Sequence, residues 1–295
     1  MDGGPWRQRG HSPFIISVAP NGARRRTADH PALPETAAGL AREAAACHEA
    51  GAALFHVHVR DRDGRQLLDA GAYREAFDAI RAGVGDGLIL QASTEAVGRY
   101  TPDRQMAVIR ELRPEAVSLA LPEIMPDPSD EGPVAGFLEW LHETGAFTQF
   151  IIRSEDELRR YRELCRRGIV PEARSSLLFV LGNYREGAAG APGDLTPLAG
   201  LCRPGEVWSV CAFGPRENAC ALMAAALGGH CRVGFENNLV LADGRKAEDN
   251  ADLVRQAREG ADLLGRTAVN AATAREIFAG NLGAEVCRSV AVPGV

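Results

Sequence analysis

His56 and His58 stand either side of a valine near the end of a short apolar run that includes Ala53, Leu54 and Phe55. Val59, Arg60 and Asp61 follow at once. On a β-strand successive side chains take opposite faces, so the two imidazoles share one face while Phe55, Val57 and Val59 take the other. Two imidazoles about 7 Å apart along extended backbone can reach a single metal ion. The competing reading is two separate histidines, each bonded to its own neighbour in a core.

Glu236 terminates Val233, Gly234 and Phe235. A buried carboxylate there is costly unless it is paired or bound to a cation. With His56 and His58 it makes three ligands, and three ligands with an open position are what a catalytic zinc site needs. The alternative partner is Arg232, four residues earlier and on the same face of one strand, which would make Glu236 half of a structural salt bridge.

Those residues need elements to position them, and the chain repeats a strand followed by an amphipathic helix. Strands are expected over residues 14–18, 53–59, 88–92, 116–121, 147–152, 177–181, 207–213 and 231–235. Helices are expected over 34–50, 70–82, 101–112, 133–143, 154–167, 195–201, 217–227, 248–264 and 273–279. Pro34 and Gly51 bracket the first helix, Thr101 and Pro102 open the third, and Ser154 caps the fifth. Eight strands alternating with helices in 295 residues point to a single-domain (β/α)8 TIM barrel. A doubly wound open sheet is the runner-up, but Pro20, Asn21, Gly22 and Ala23 follow the first strand where a glycine-rich dinucleotide fingerprint would stand. The domain is expected over residues 14–295, after a loose arm at 1–13.

In a barrel, chemistry gathers at the C-terminal strand ends. The first strand offers Asn21 and Arg24, Arg25 and Arg26. The third offers Ser93, Thr94 and Glu95, the fourth Glu123 and the sixth Asn183. The eighth adds Arg232, Glu236, Asn237 and Asn238. His11, His30, His48, His142 and His230 read as surface or structural. Lys246 is the sole lysine and sits in a polar loop, so a Schiff-base mechanism, which needs a desolvated amine, is not expected.

Composition bounds the rest. The chain is 45% hydrophobic and 24% charged, with net charge −6, which gives no basic footprint for nucleic acid. No apolar run approaches the length of a membrane span. Residues 1–13 are polar and lack the apolar core of a secretory signal. Seven cysteines form no closely spaced pair, and a reducing cytoplasmic setting is expected.

Five stretches, taken together, resemble the β-keto acid cleavage enzymes: residues 19–23, 29–34, 56–61, 91–94 and 228–239. The likeness runs from residue 14 to about 280 in the same order. It implies a zinc-dependent barrel that condenses a β-keto acid with acetyl-CoA, giving acetoacetate and a new acyl-CoA, and that forms a homo-oligomer. By position it implies His56, His58 and Glu236 as zinc ligands, Ser93 as holder of the substrate carboxylate, and Arg232 as part of a proton-abstracting dyad. Thr94, Asn21 and Arg24 are further substrate-binding candidates. Three departures stand out. Asn237 replaces the dyad aspartate, and an amide is no general base. Arg24 stands where the amino-substrate enzyme carries an acid, and Ala120 near a position often held by a hydroxyl. Glu123 and Glu95 are the candidate replacement bases. Other readings of the same site are a metal-dependent lyase or aldolase that does not use CoA, and a metal-binding paralogue without activity.

Overall fold

Hydrogen bonding closes eight parallel segments into one barrel, as seen in a computed structural model that describes residues 12–185 and 187–280. In chain order the strands and helices are β1 (Ser12–Phe14), β2 (Ile16–Val18), α1 (Ala37–Ala50), β3 (Leu54–Val57), β4 (Val59–Arg60), β5 (Gln66–Leu67), α2 (Ala70–Val84), β6 (Ile89–Ser93) and α3 (Pro102–Leu112). Then come β7 (Ala116–Ala120), α4 (Leu121–Ile124), α5 (Glu131–Thr144), β8 (Phe147–Ile152), α6 (Glu155–Arg166), β9 (Ser175–Leu181) and α7 (Pro192–Ala199). The chain finishes with β10 (Trp208–Ala212), α8 (Glu217–Ala226), β11 (His230–Val233), α9 (Asn250–Leu263), β12 (Arg266–Ala268) and α10 (Ala271–Phe278). The barrel order is β10-β11-β2-β3-β6-β7-β8-β9, so closure excludes the open sheet.

The pleat sorts the side chains. On β3, Phe55 and Val57 face the helices and join the large core between barrel and helix layer, whereas Leu54 belongs to a separate interior cluster. That cluster joins Ile15, Ala53, Ile89, Ala116 and Phe147 to Ala271, Ala274 and Phe278, so α10 plugs the N-terminal end of the barrel. Higher in the interior the layer turns polar: Ser17, Gln91, Ser118, Gln149, Ser209 and Arg232 are all buried. Helix entries follow side-chain capping. Thr36, Asp69, Thr101, Ser154, Asp249 and Asn270 each accept a backbone amide of the following first turn. The first helix therefore starts at Ala37, after its Thr36 cap, and not at Pro34.

Two features depart from the pattern read in the sequence. The strand expected over 53–59 leaves the barrel wall at Val57, and Val59–Arg60 pairs antiparallel with Gln66–Leu67. Short antiparallel pieces of this kind carry too few apolar residues to show a period. The strand expected over 14–18 is likewise divided: Ser12–Phe14 pairs with Arg266–Ala268 outside the barrel, and Ile16–Val18 enters it. Ser12 and Pro13, assigned to the arm, thus begin a strand; residues 1–11 lie outside the described part. No helix among the described residues is long and apolar enough to cross a membrane.

The turn after β11 is tightly constrained by backbone packing. Gly234 has φ +136°, and a Cβ there would lie 2.4 Å from the carbonyl oxygen of Ala19. Gly244 also has positive φ, +86°, but no described residue comes within 4 Å of the same position. Gly234→Ala should therefore destabilise by about 3 kcal/mol, combining strain and overlap. Gly244→Ala should lose only about 1 kcal/mol for the left-handed backbone. Denaturant melts of both variants check this, and equal losses would contradict the packing argument.

Candidate active site

β3 supplies His56 to the barrel interior, and His58 lies just past its end. The backbone there is held by Asn21, whose amide donates to the carbonyls of His58 (2.9 Å) and Pro34 (3.0 Å). The two rings meet edge to face, 4.9 Å between centroids, with their Nε2 atoms 3.0 Å apart. Each ring is fixed from behind. Nδ1–H of His56 donates to Oε1 of Gln91 on the neighbouring strand β6 (2.7 Å). Nδ1–H of His58 donates to Oε1 of Gln66 in β5 (3.0 Å). Gln91 in turn points its amide at Gln149 (3.4 Å), which sets its carbonyl toward the ring. With both Nδ1 atoms donating, both Nε2 atoms present lone pairs to each other.

Glu236 completes the set. Its Oε2 lies 3.8 Å from Nε2 of His56 and 3.7 Å from Nε2 of His58, and has no hydrogen-bond partner among the described residues. Its Oε1 meets Nη2 of Arg232 at 3.3 Å. Both readings of Glu236 thus hold at once, one oxygen for the arginine and one for the histidines. Burial pushes the Glu236 carboxyl up, but Arg232 first, and then His58 and His56, bring it down to about 2. Burial drives His58 down to about 4 and His56 well below its usual value, Arg232 adding to the second. The neutral imidazoles and ionised carboxylate are three acceptors with no proton to share. Their separations suit ligands held by one ion at about 2.0–2.2 Å each. An orphaned carboxylate oxygen facing two nitrogen lone pairs fits a bound cation, and His56, His58 and Glu236 could hold one.

A cavity of about 210 Å³ opens over this set at the C-terminal end of the barrel. Ser93, Thr94, Glu95, Glu123, Arg24, Asn183 and Arg232 all line it, as does Ala120, a bare patch of wall. Ser93 Oγ accepts the amide of Glu95 (3.2 Å), which leaves its own proton free. Thr94 spends its proton on the Ser118 carbonyl (2.9 Å). Nε and Nη1 of Arg232 have no partner among the described residues, so a buried guanidinium offers two donor groups at the cavity. Its charge is secured by Glu236; Cys211, 3.4 Å away, stays a thiol because burial pushes it up to about 11. Glu95 lies 4.0 Å from Nδ1 of His58 and 3.8 Å from Nε of Arg24. Burial, then the charges of Glu236 and Glu123, push its carboxyl up to about 7. Glu123 accepts the Ala96 amide (3.0 Å).

Not every polar residue at the strand ends reaches the cavity. Asn21 and Asn237 are fully buried and are not among the described residues lining the cavity. Asn21 instead holds the His58 backbone, and both amide atoms of Asn237 lack a partner among the described residues. Arg25 binds the carbonyls of Phe235 and Asn237, and Arg26 pairs with Glu35, so of the arginine triplet only Arg24 reaches the mouth. His30 and His230 are structural: one bonds the Ala247 carbonyl, the other accepts the Ile15 amide. The sequence reading missed Gln91, Gln66, Tyr184 and Arg153. Arg153 directly follows the fifth barrel strand, so the strand-end rule points to it; nothing in the sequence distinguishes Gln66.

A closed (β/α)8 barrel with a buried histidine and glutamate set at its mouth that could hold a cation is the architecture of a barrel enzyme with its site at the C-terminal strand ends. Residues 13–279 match the model of the beta-keto acid cleavage enzymes, and the chain belongs to that family. The expected enzyme of acyl-transfer class is thereby borne out. Relatives include the 3-keto-5-aminohexanoate cleavage enzyme of Acetoanaerobium sticklandii, 29% identical over 90% of this chain and 97% of its own. The 3-oxoadipate:acetyl-CoA acetyltransferase of Cupriavidus necator is 30% identical over 90% of this chain and 94% of its own. Among solved structures, a ternary complex of ObcA with a C4-CoA adduct and oxalate superposes with TM-score 0.68, at 19% identity, over 84% of this chain and 67% of that one. 3-Hexulose-6-phosphate synthase gives 0.53 at 12% identity, over 84% of this chain and 99% of that one. These two likenesses show the barrel.

The glutamine contacts yield a test. Gln91→Leu should keep the fold but weaken divalent-metal binding roughly 10- to 100-fold, as loss of a partner behind a ligating histidine does. Calorimetric titration of metal-stripped protein reads this directly. An unchanged affinity would mean that Gln91 does not orient His56.

Proposed function

We propose that this chain is a zinc-dependent β-keto acid cleavage enzyme, which condenses a β-keto acid with acetyl-CoA to give acetoacetate and a new acyl-CoA. The observation that carries the reading is the convergence of His56, His58 and Glu236 beside the unpartnered donors of Arg232. Two imidazoles and a carboxylate suit zinc, which when bound supplies Lewis-acid polarisation of carbonyl and carboxylate oxygens. A relative named for acetyl transfer between 3-oxoadipate and acetyl-CoA supports that substrate class, and Lys246, in contact with the Asp29 carbonyl in an exposed loop, supplies no alternative Schiff base.

The chain's own residues then divide the work. Ser93 donates its free hydroxyl proton to the substrate carboxylate. Glu95 takes a proton from the carbon between the two carbonyl groups, and Arg232 stabilises the negative charge that spreads onto the substrate oxygens. Of the two candidate carboxylates, Glu95 is the better base because Glu123 is held by the Ala96 amide. The carbanionic carbon attacks the thioester carbonyl and expels CoA as thiolate. The thiolate attacks the original ketone, the bond from that carbonyl to the former carbanion breaks, and the carbon recovers its proton. Acetoacetate and a new thioester leave. Asn237, buried away from the cavity, takes no proton in this scheme. The described cysteines are free thiols, which suits a cytoplasmic enzyme, and a homo-oligomer is part of the same reading.

Incubation with a panel of β-keto acids tests the reaction. Acetoacetate should form only when acetyl-CoA is present; cleavage without it would establish a lyase instead. The kcat/KM of the wild type should rise with pH, because the base works deprotonated, with its limb at about 7 or lower once a cation sits beside Glu236. Glu95→Gln should lose roughly 100- to 10,000-fold in kcat. A fully active Glu95→Gln enzyme would remove Glu95 from the chemistry.

Arg24 should set the preference for the far end of the substrate. Its guanidinium lies over the Tyr184 ring, 5.3 Å from the centroid, at the cavity edge. A cation there repels an ammonium and attracts an anion or neutral polar group. The enzyme should act poorly on 3-keto-5-aminohexanoate and better on β-keto acids with neutral or carboxylate tails. Arg24→Glu should shift the ranking of kcat/KM toward the amino substrate. A wild type that prefers the amino acid would contradict this role.

A further inference from the structure

A second cavity of about 320 Å³ lies beside the mouth and shares Arg24 with it. Arg24, Arg26, Arg60, Arg65 and Arg99 line it, and no described acidic side chain does. In a chain of net charge −6 this is a local reversal of sign. Ion pairs offset only part of it. Arg26 is paired with Glu35 at 2.8 Å, but Asp63 approaches Arg65 only to 3.6 Å and Glu95 approaches Arg24 only to 3.8 Å. Arg60 gives its Nη protons to backbone carbonyls, including those of Asn21, Gly22, Arg25 and Gly64. Arg99 bonds the Gln66 carbonyl and stacks on Tyr100. Among the described residues neither has an acid within ion-pair distance. Asp61, on the same hairpin, turns its carboxylate onto the amides of Asp63 and Arg65.

The backbone adds an independent observation. Val97, which lines this cavity, has φ +48°, and Gly98 follows at +69°. A β-branched residue in the left-handed region is strained, and such strain persists where surrounding structure imposes it. Neither residue's amide donates to a protein group among the described residues. Val97 brings this segment to the guanidinium-lined cavity, and backbone amides together with guanidinium groups are the components of an anion-binding concavity. Guanidinium suits phosphate in particular, through its planar fork of donors.

We propose that this cavity binds the phosphate end of the CoA thioester. That identity of the anion rests on the acyl-transfer reading given above. Sharing Arg24 puts the anion next to the mouth, so the thioester arm enters from the side on which β4 and β5 leave the barrel wall. Arg65 and Arg99 are both exposed and neither meets an acid closer than Asp63, 3.6 Å from Arg65, so they are the side chains that grip it, while Arg60 keeps the loop carbonyls in place.

The test uses Arg65→Gln, Arg99→Gln and the double variant, each checked for metal content and thermal stability. CoA binding is measured by calorimetry, and KM is measured with acetyl-CoA and with S-acetylpantetheine, which lacks every phosphate. Each substitution should weaken CoA binding roughly tenfold, the effect of losing one charge-assisted contact. The KM for acetyl-CoA should rise in parallel, and the KM for S-acetylpantetheine should stay put. Unchanged CoA affinity in the double variant overturns the site, and the acyl-transfer reading then stands or falls on turnover alone. A wild type that binds CoA through these arginines but turns over no β-keto acid upholds the site and sinks the reaction. A wild type that binds no CoA overturns both.

Discussion

Three acceptor atoms face one another at the mouth of this barrel, and among the described residues no group donates between them. The two Nε2 lone pairs stand 3.0 Å apart and Oε2 of Glu236 lies within 3.8 Å of both. Such a set is repulsive on its own and becomes favourable around a cation. The fold has to hold it in place against that repulsion, and it does so from behind each ligand. Gln91 on the adjacent barrel strand turns His56, Gln66 on the outlying hairpin turns His58, and Arg232 draws one oxygen of Glu236 inward.

The rest of the architecture follows from keeping these supports rigid. Apolar packing is carried by the layer between barrel and helices, where the outward faces of the strands are buried. That frees the upper interior to be polar, with Gln91, Gln149, Ser118 and Arg232 in place of branched aliphatic side chains. The chain after β11 packs against the chain after β2, where Gly234 abuts Ala19, so Glu236 is set by backbone contact. Its neighbour Glu217 accepts the Gly234 amide at 3.1 Å and the Asn238 amide at 3.3 Å, which fixes the same turn from the helix side.

The barrel was legible because each of its strands carries an apolar run and each intervening helix an apolar stripe. Side-chain alternation then placed His56 inside and Phe55 and Val57 outside, as found. β3, which carries His56, and β11, which leads into Glu236, flank β2, so the ligands meet across one strand. What escaped was set by tertiary contact. The departure at His58 depends on Asn21 and on the Arg60 contacts with the loop, and neither leaves a periodic trace. Asn21 and Asn237 carry the right chemistry at strand ends but turn into the protein, a matter of rotamer and loop path that residue type does not encode. Gln66 sits in a two-residue strand, too short for any pattern.

The account stands or falls on what lies between those three acceptors. Crystals of protein purified without chelator, measured with X-rays on either side of the zinc absorption edge, answer this directly. The account predicts one anomalous peak per chain, present above the edge and absent below it, within bonding distance of Nε2 of His56, Nε2 of His58 and Oε2 of Glu236. A map from zinc-loaded crystals with no peak there, and with the two imidazoles sharing a proton instead, would contradict it.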